Sequence, residues 1–254
     1  MTARGFADGA RDVAAGMRFL RAHPRLWVYV IAPALVTLLL MALATAGVLA
    51  AAPPLVDAIA GWLPDAIARW SHGLVWALTV IALGFAAILL FVPLVGVIAD
   101  PFNERLAAEV LTVRTGVARP AVGVAALVRD ALVGLLRGLG RLLGAIVGAV
   151  LLFALSLVPV IGTIAAAVIA GWLTARGTAR DCYEAALGAR SLERPAIRAF
   201  LARHRQRTLG LGATVAGLLV IPGVNLIALG VGTTGATLAA LDLEADPPRV
   251  GGPR

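Results

Sequence analysis

Asp100-Pro101-Phe102-Asn103-Glu104-Arg105 brings an acid, an amide, a ring and a guanidinium together within six residues. Aspartate before proline predicts a helix start, with Asp100 as N-cap and Pro101 as the first helical residue. A helix start presents free amides and partial positive charge, which suit an oxyanion. Asn103 and Arg105 would add side-chain donors. The competing reading is a capped helix with no ligand. The Asp100 carboxylate already occupies some of those amides, and Glu104 repels an anion.

Other chemical signals are weaker. Gly230-Val231-Gly232-Thr233-Thr234-Gly235 fits G-x-G-x-x-G, but it lies in an apolar stretch with no preceding strand. Close helix packing is the expected use. His23, His72 and His204 are scattered without metal-ligand spacing, and Cys182 is the single cysteine. No HExxH, GxSxG or P-loop pattern occurs, so neither an enzyme, a metal site nor a cofactor is expected. Asn225 is a polar amide inside an apolar stretch. It either satisfies backbone groups at a turn or touches a permeating solute.

The elements that must position these residues are membrane elements. The chain is 60% hydrophobic and 14% charged, against roughly 25% charged in a soluble domain. Four stretches carry no charge: Leu26–Ala51, Gly73–Ala99, Leu142–Ala175 and Thr208–Leu241. About 20 apolar residues cross a bilayer core as helix. The first two stretches, 26 and 27 residues long, suit one crossing each. The last two are 34 residues each and carry proline and glycine near the middle. One helix of that length would run about 51 Å, too long for a single crossing. Each is expected to be a helical hairpin that enters the bilayer and turns back. The turns fall at Pro159 with Gly162, and at Pro222 with Gly223 and Asn225. The fold class is therefore all-α and integral to the membrane: two transmembrane helices, two half-penetrating hairpins and amphipathic interfacial helices. Residues 1–243 form one membrane domain, with a disordered tail over 244–254.

Arginine counts set the sidedness, because short cytoplasmic loops are enriched in basic residues. All 22 basic residues are arginine. Five lie in residues 1–25, one in 52–72, six in 100–141 and eight in 176–207. With both termini cytoplasmic and both hairpins returning, every arginine-rich segment stays inside. A single crossing at 142–175 would put eight arginines outside. Residues 1–25 read as an amphipathic helix, with Phe6, Val13, Met17 and Leu20 on its apolar side, ended by His23-Pro24. Ala121–Arg141 reads as a second amphipathic helix. Pro195 argues against one continuous helix through Arg190, Arg194 and Arg198, whose basic surface would face headgroups. Gly140, Gly144 and Gly148 form a small-residue ridge suited to packing on a neighbour, within the chain or across an oligomer. The net charge of +8 lies between apolar segments, pointing to anionic lipids rather than nucleic acid.

Several segments together resemble the CysZ-type sulfate permease family, which includes the etoposide-induced transmembrane proteins. They are Asp100–Glu109 after the second span, His23-Pro24 with Pro33, Val158-Pro159-Val160-Ile161-Gly162, and Ile221-Pro222-Gly223-Val224-Asn225-Leu226. The resemblance runs from about Gly5 to Leu243. It implies two long transmembrane helices with two pairs of half-penetrating helices, assembly as a homo-oligomer, and sulfate uptake across the inner membrane. It also implies a substrate site at Phe102, Asn103 and Arg105, with Arg25 as the cation nearest the start of the first span. This chain departs from the family at Trp27 and Val28, where arginines are expected, and at Glu104, where a glycine is expected. The alternative is a member of the same family that organises membrane or partner proteins without transport.

Overall fold

A computed structural model describes residues 3–62, 65–117, 140, 143–158 and 160–245. Every element among the described residues is helical. They are α1 (Ala3–Ala22), a 3-10 turn (Pro24–Leu26), α2 (Trp27–Ala60), α3 (Asp65–Thr115), α4 (Leu143–Ser156), α5 (Ile161–Gly188), α6 (Arg194–Arg203), α7 (Arg205–Leu219) and α8 (Asn225–Ala245). Three are long and apolar enough to cross a membrane: α2 with its preceding turn, α5 and α8.

α2 and α3 outrun their expected spans. α2 continues through Pro53 and Pro54 to Ala60, so most of the loop expected over 52–72 is helix. A helical proline forfeits one backbone hydrogen bond. Here that loss falls in the last third of a 34-residue helix, where the remaining ladder holds. α3 has 51 residues, about 76 Å of helix against a bilayer core of roughly 30 Å. It passes through Asp100-Pro101 without interruption, so the expected helix start there does not exist. Proline is compatible with helix continuation when neighbouring elements support the freed carbonyl.

The arginine-rich 176–207 segment is also mostly helix rather than loop. α5 continues to Gly188, α6 starts at Arg194 with Pro195 in its first turn, and α7 begins at Arg205. The break before Pro195 agrees with the sequence. Pro159 and the helix expected over 121–141 lie outside the described residues, apart from Gly140. α8 carries the chain in helical form to Ala245, past the expected start of the tail, and 246–254 also lie outside.

Burial divides the molecule in two. The core gathers Val13 and Leu20 of α1, Leu26, Val30 of α2, Leu106 and Val110 of α3, and Tyr183 and Leu187 of α5. Leu211 and Val215 of α7 and Ala228 to Ala240 of α8 complete it. α8 is its hub and packs against α1, α2, α3, α5 and α7. The outer part is residues 31–51 of α2, residues 73–87 of α3, α4 and the first half of α5. It exposes Leu35, Leu39, Leu78, Ile81, Val150, Phe153, Ile164 and Val168. A face of that composition is suited to hydrocarbon and not to water.

The glycines of the G-x-G-x-x-G stretch explain how α8 serves as hub. A Cβ on Gly230 would fall 2.8 Å from a Val30 methyl carbon of α2. On Gly232 it would fall 2.7 Å from a Val215 methyl carbon and 2.9 Å from the Cys182 sulfur. On Gly235 it would fall 2.5 Å from the Asp12 carbonyl oxygen. Three glycines thus admit four neighbours, one each from α2, α7, α5 and α1, which is the packing role expected. The buried Thr234 and Thr237 hydroxyls donate back to the Gly230 and Thr233 carbonyls, at 2.9 and 2.8 Å, and need no outside partner.

Candidate functional site

The sequence-selected residues lie where α3 enters the core. Leu106, Ala107, Val110 and Leu111 are buried there, while Phe102 and Asn103 are half-buried and Arg105 is exposed. Arg25 is exposed on the Pro24–Leu26 turn. That turn packs against α3, so the two carriers of the expected site adjoin. Glu104 lies beside Gly188 at the end of α5. Because α3 is continuous here, the amides around Asp100 are spent within the helix ladder and offer no ring of donors.

Helix breaks fall at 157–160 and 220–224, beside the expected turn residues, with Pro159 itself outside the described residues. Gly223 has φ +83° between α7 and α8, a conformation that favours glycine. Pro222, Gly223 and Asn225 are exposed at this tip, and the backbone N–H of Asn225 donates to the Ile221 carbonyl at 3.1 Å. In the first turn of α5, Gly162 is buried, and a Cβ there would fall 2.1 Å from the Leu155 carbonyl oxygen of α4. Val160 has φ +62° and ψ −65°, a strained backbone for a β-branched residue. Gly144 and Gly148 meet nothing within 4 Å, so among the described residues their ridge has no neighbour in the chain.

A second polar constellation, absent from the sequence reading, lies in the core. Arg207 Nε and Nη2 donate to the two carboxylate oxygens of Asp12, each at 2.7 Å. The pair joins α1 to α7 across 195 residues of sequence. Burial pushes the Asp12 carboxyl above its ordinary range, and the two Arg207 bonds partly offset this. The Asp12 bond in turn raises the Arg207 guanidinium. Tyr183 is fully buried within electrostatic reach of both, and its hydroxyl has no hydrogen-bond partner among the described residues. The Tyr183 ring leans on Phe200 at 5.7 Å, and Phe200 on His204 at 4.8 Å. Burial, with Arg203 and Arg207 nearby, pulls His204 below its ordinary range.

The missed signal was small-residue spacing in α1. Gly9, Asp12, Val13, Gly16 and Leu20 form the buried face, whereas Phe6, placed on the apolar side, is 48% exposed. A Cβ on Gly9 would fall 2.1 Å from the Arg207 carbonyl oxygen, and one on Gly16 2.5 Å from that of Val231. α1 is therefore docked on α7 and α8, with its arginines Arg11, Arg18 and Arg21 outward. Arg190 also departs from the expected headgroup surface, because it pairs with Glu244 of α8.

A chain that is helical throughout its described elements, with lipid-suited outer helices and a charged, protein-packed end, is a membrane protein. The chain belongs to the family described as sulfate transporter CysZ/etoposide-induced protein 2.4, whose match covers residues 13–229. No curated protein shows a significant match.

Proposed function

We propose that this protein is an inner-membrane permease that passes sulfate or another small oxyanion into the cytoplasm. Family membership over residues 13–229 is the observation that carries this reading. Arg25 and Arg105 would supply the positive charge for the anion, Asn103 an amide donor, and Phe102 the wall beside them. α2 and α3 cross the bilayer, and α4–α5 and α7–α8 enter and return, keeping both termini cytoplasmic. Copies of the chain assemble to complete the path, with anionic lipids against the exposed arginines. Labelled sulfate uptake into proteoliposomes tests this. Transport should exceed that of empty vesicles and fall at least tenfold in Arg105→Ala. No transport by correctly folded protein would sink the reading.

One observation favours a second reading, a member that organises membrane components without transport. α3 runs unbroken through Asp100-Pro101, so the segment lacks the free amides of a helix start. On that reading Asn103→Ala and Arg105→Ala leave sulfate uptake by cells unchanged.

A further inference from the structure

We propose that Arg207 and Tyr183 form a second oxyanion-binding site, held shut by the Asp12 carboxylate of α1. Asp12 meets the guanidinium through both oxygens at 2.7 Å, the fork geometry by which arginine takes a free carboxylate or sulfate. Its side chain is 10% exposed and that of Arg207 22%, so the contact is largely out of water. The Tyr183 hydroxyl adds a donor that Asp12 does not use. A phenol buried without a partner bears the full desolvation of its hydroxyl, and this one is fully buried with no partner among the described residues. The Asp12 carboxylate spends both its oxygens on the fork, whereas a tetrahedral oxyanion has two more for a further donor.

α1 is built to act as the occupant. Gly9, Gly16, Gly210 and Gly235 let its backbone sit directly on α7 and α8, which fixes Asp12 in place. A tethered carboxylate competes at high effective concentration, so a free anion enters only when α1 lifts or Asp12 loses its charge. Asp8 and Asp242 add negative potential around Asp12, and Asp242 also acts on Arg207. Both oppose an anion bound in addition to Asp12, and so favour replacement over joint binding. The site stands on the geometry around Arg207, and its test reads binding rather than transport.

The test is thermal unfolding of the purified full chain in detergent, titrated with sodium sulfate against sodium chloride at equal ionic strength. Wild type sets the baseline, which contains sulfate's general exclusion effect and any binding at the permease site. Asp12→Ala should show a saturable sulfate-dependent rise in Tm beyond that baseline, and Asp12→Asn a smaller excess. The excess should vanish in Asp12→Ala/Arg207→Ala and shrink in Asp12→Ala/Tyr183→Phe. A response of Asp12→Ala equal to wild type overturns the proposal, as does an excess that survives loss of Arg207. If both Asp12 variants misfold even in sulfate, the proposal also falls, because the anion should replace the missing carboxylate. Uptake by wild type without the Asp12→Ala shift would remove this site and keep the permease. The shift without uptake would do the reverse.

Discussion

The two helix–turn–helix units, α4–α5 and α7–α8, look alike in sequence and differ in surroundings. Both come from 34-residue uncharged stretches with a proline near the middle. Yet α4 and the first half of α5 turn Val150, Phe153, Ile164 and Val168 outward, while Ala228 to Ala240 of α8 are largely buried. The difference follows from small residues and their neighbours. In α7–α8, Gly210, Gly212, Gly230, Gly232 and Gly235 each sit against another helix. In α4–α5, Gly144, Gly148 and Gly171 face open space. A glycine is a contact only where something approaches it. Hydropathy alone cannot tell a lipid-facing helix from one sheathed by protein, because both settings favour apolar surface.

The sharpest way to break this contrast is to add side chains to both units. A Cβ on Gly210 would fall 2.1 Å from the Phe6 carbonyl oxygen, and the obstruction is backbone that cannot rotate away. Gly210→Val should cost at least about 3 kcal/mol, the upper range for overpacking, and release α1 to proteolysis. Gly171→Val should stay within about 0.5 kcal/mol, as exposed substitutions do. Equal losses in thermal unfolding would contradict the division into outer and core units.

Next in size is the α1 clasp. Arg207→Ala leaves Asp12 buried without its cation and should cost about 3 kcal/mol, as breaking a buried pair does. Arg180 pairs with Glu184 at 2.6 Å on the exposed side of α5. Arg180→Ala should cost only about 0.3–0.5 kcal/mol, the range of exposed i,i+4 pairs. Chemical denaturation in one detergent compares the two.

The tips offer a reciprocal test. Each places the residue after its proline at positive φ, Val160 in one and Gly223 in the other. Val160→Gly should stabilise by about 1 kcal/mol by relieving a strained backbone, whereas Gly223→Val should destabilise by about 1–2 kcal/mol. The smallest effect concerns His204. Its pKa is depressed by burial first and then by Arg203 and Arg207. The folded state thus favours the neutral ring. This contribution is present above about pH 6.5, the unfolded value, and is lost as pH falls through the lower folded value. Tm should decline slightly between pH 7 and 5.5, and His204→Gln should flatten that slope.

Much of the fold was legible because the bilayer limits what a sequence can do. Uncharged stretches of 26 to 34 residues must be helices, since unpaired backbone is not tolerated in hydrocarbon. Positions 222 and 223 mark a turn because proline ends a helix and glycine takes positive φ. Other cues misled. A loop over 52–72 and a helix start at Pro101 are what the sequence suggests, but helices continue through Pro53, Pro54 and Pro101. Arg4, Arg11, Arg18 and Arg21 drew the polar face of α1, while its docking face was written in Gly9, Gly16 and the acid between them. Of the expected site, the sequence supplied Phe102, Asn103, Arg105 and Arg25, and the approach of the 24–26 turn to α3 came from the packing.

Composition and spacing by themselves determined an all-helical membrane chain, its turns and its arginine asymmetry, because those depend on local backbone chemistry and transfer from water. Tertiary structure alone decided that α8 is sheathed by protein, that α1 docks on α7 and α8, and that Asp12 meets Arg207. Those outcomes require residues 195 positions apart to arrive at one place. No local pattern encodes that meeting. It results from which glycines let backbones approach, and from the cost of leaving a buried carboxylate or guanidinium without its partner.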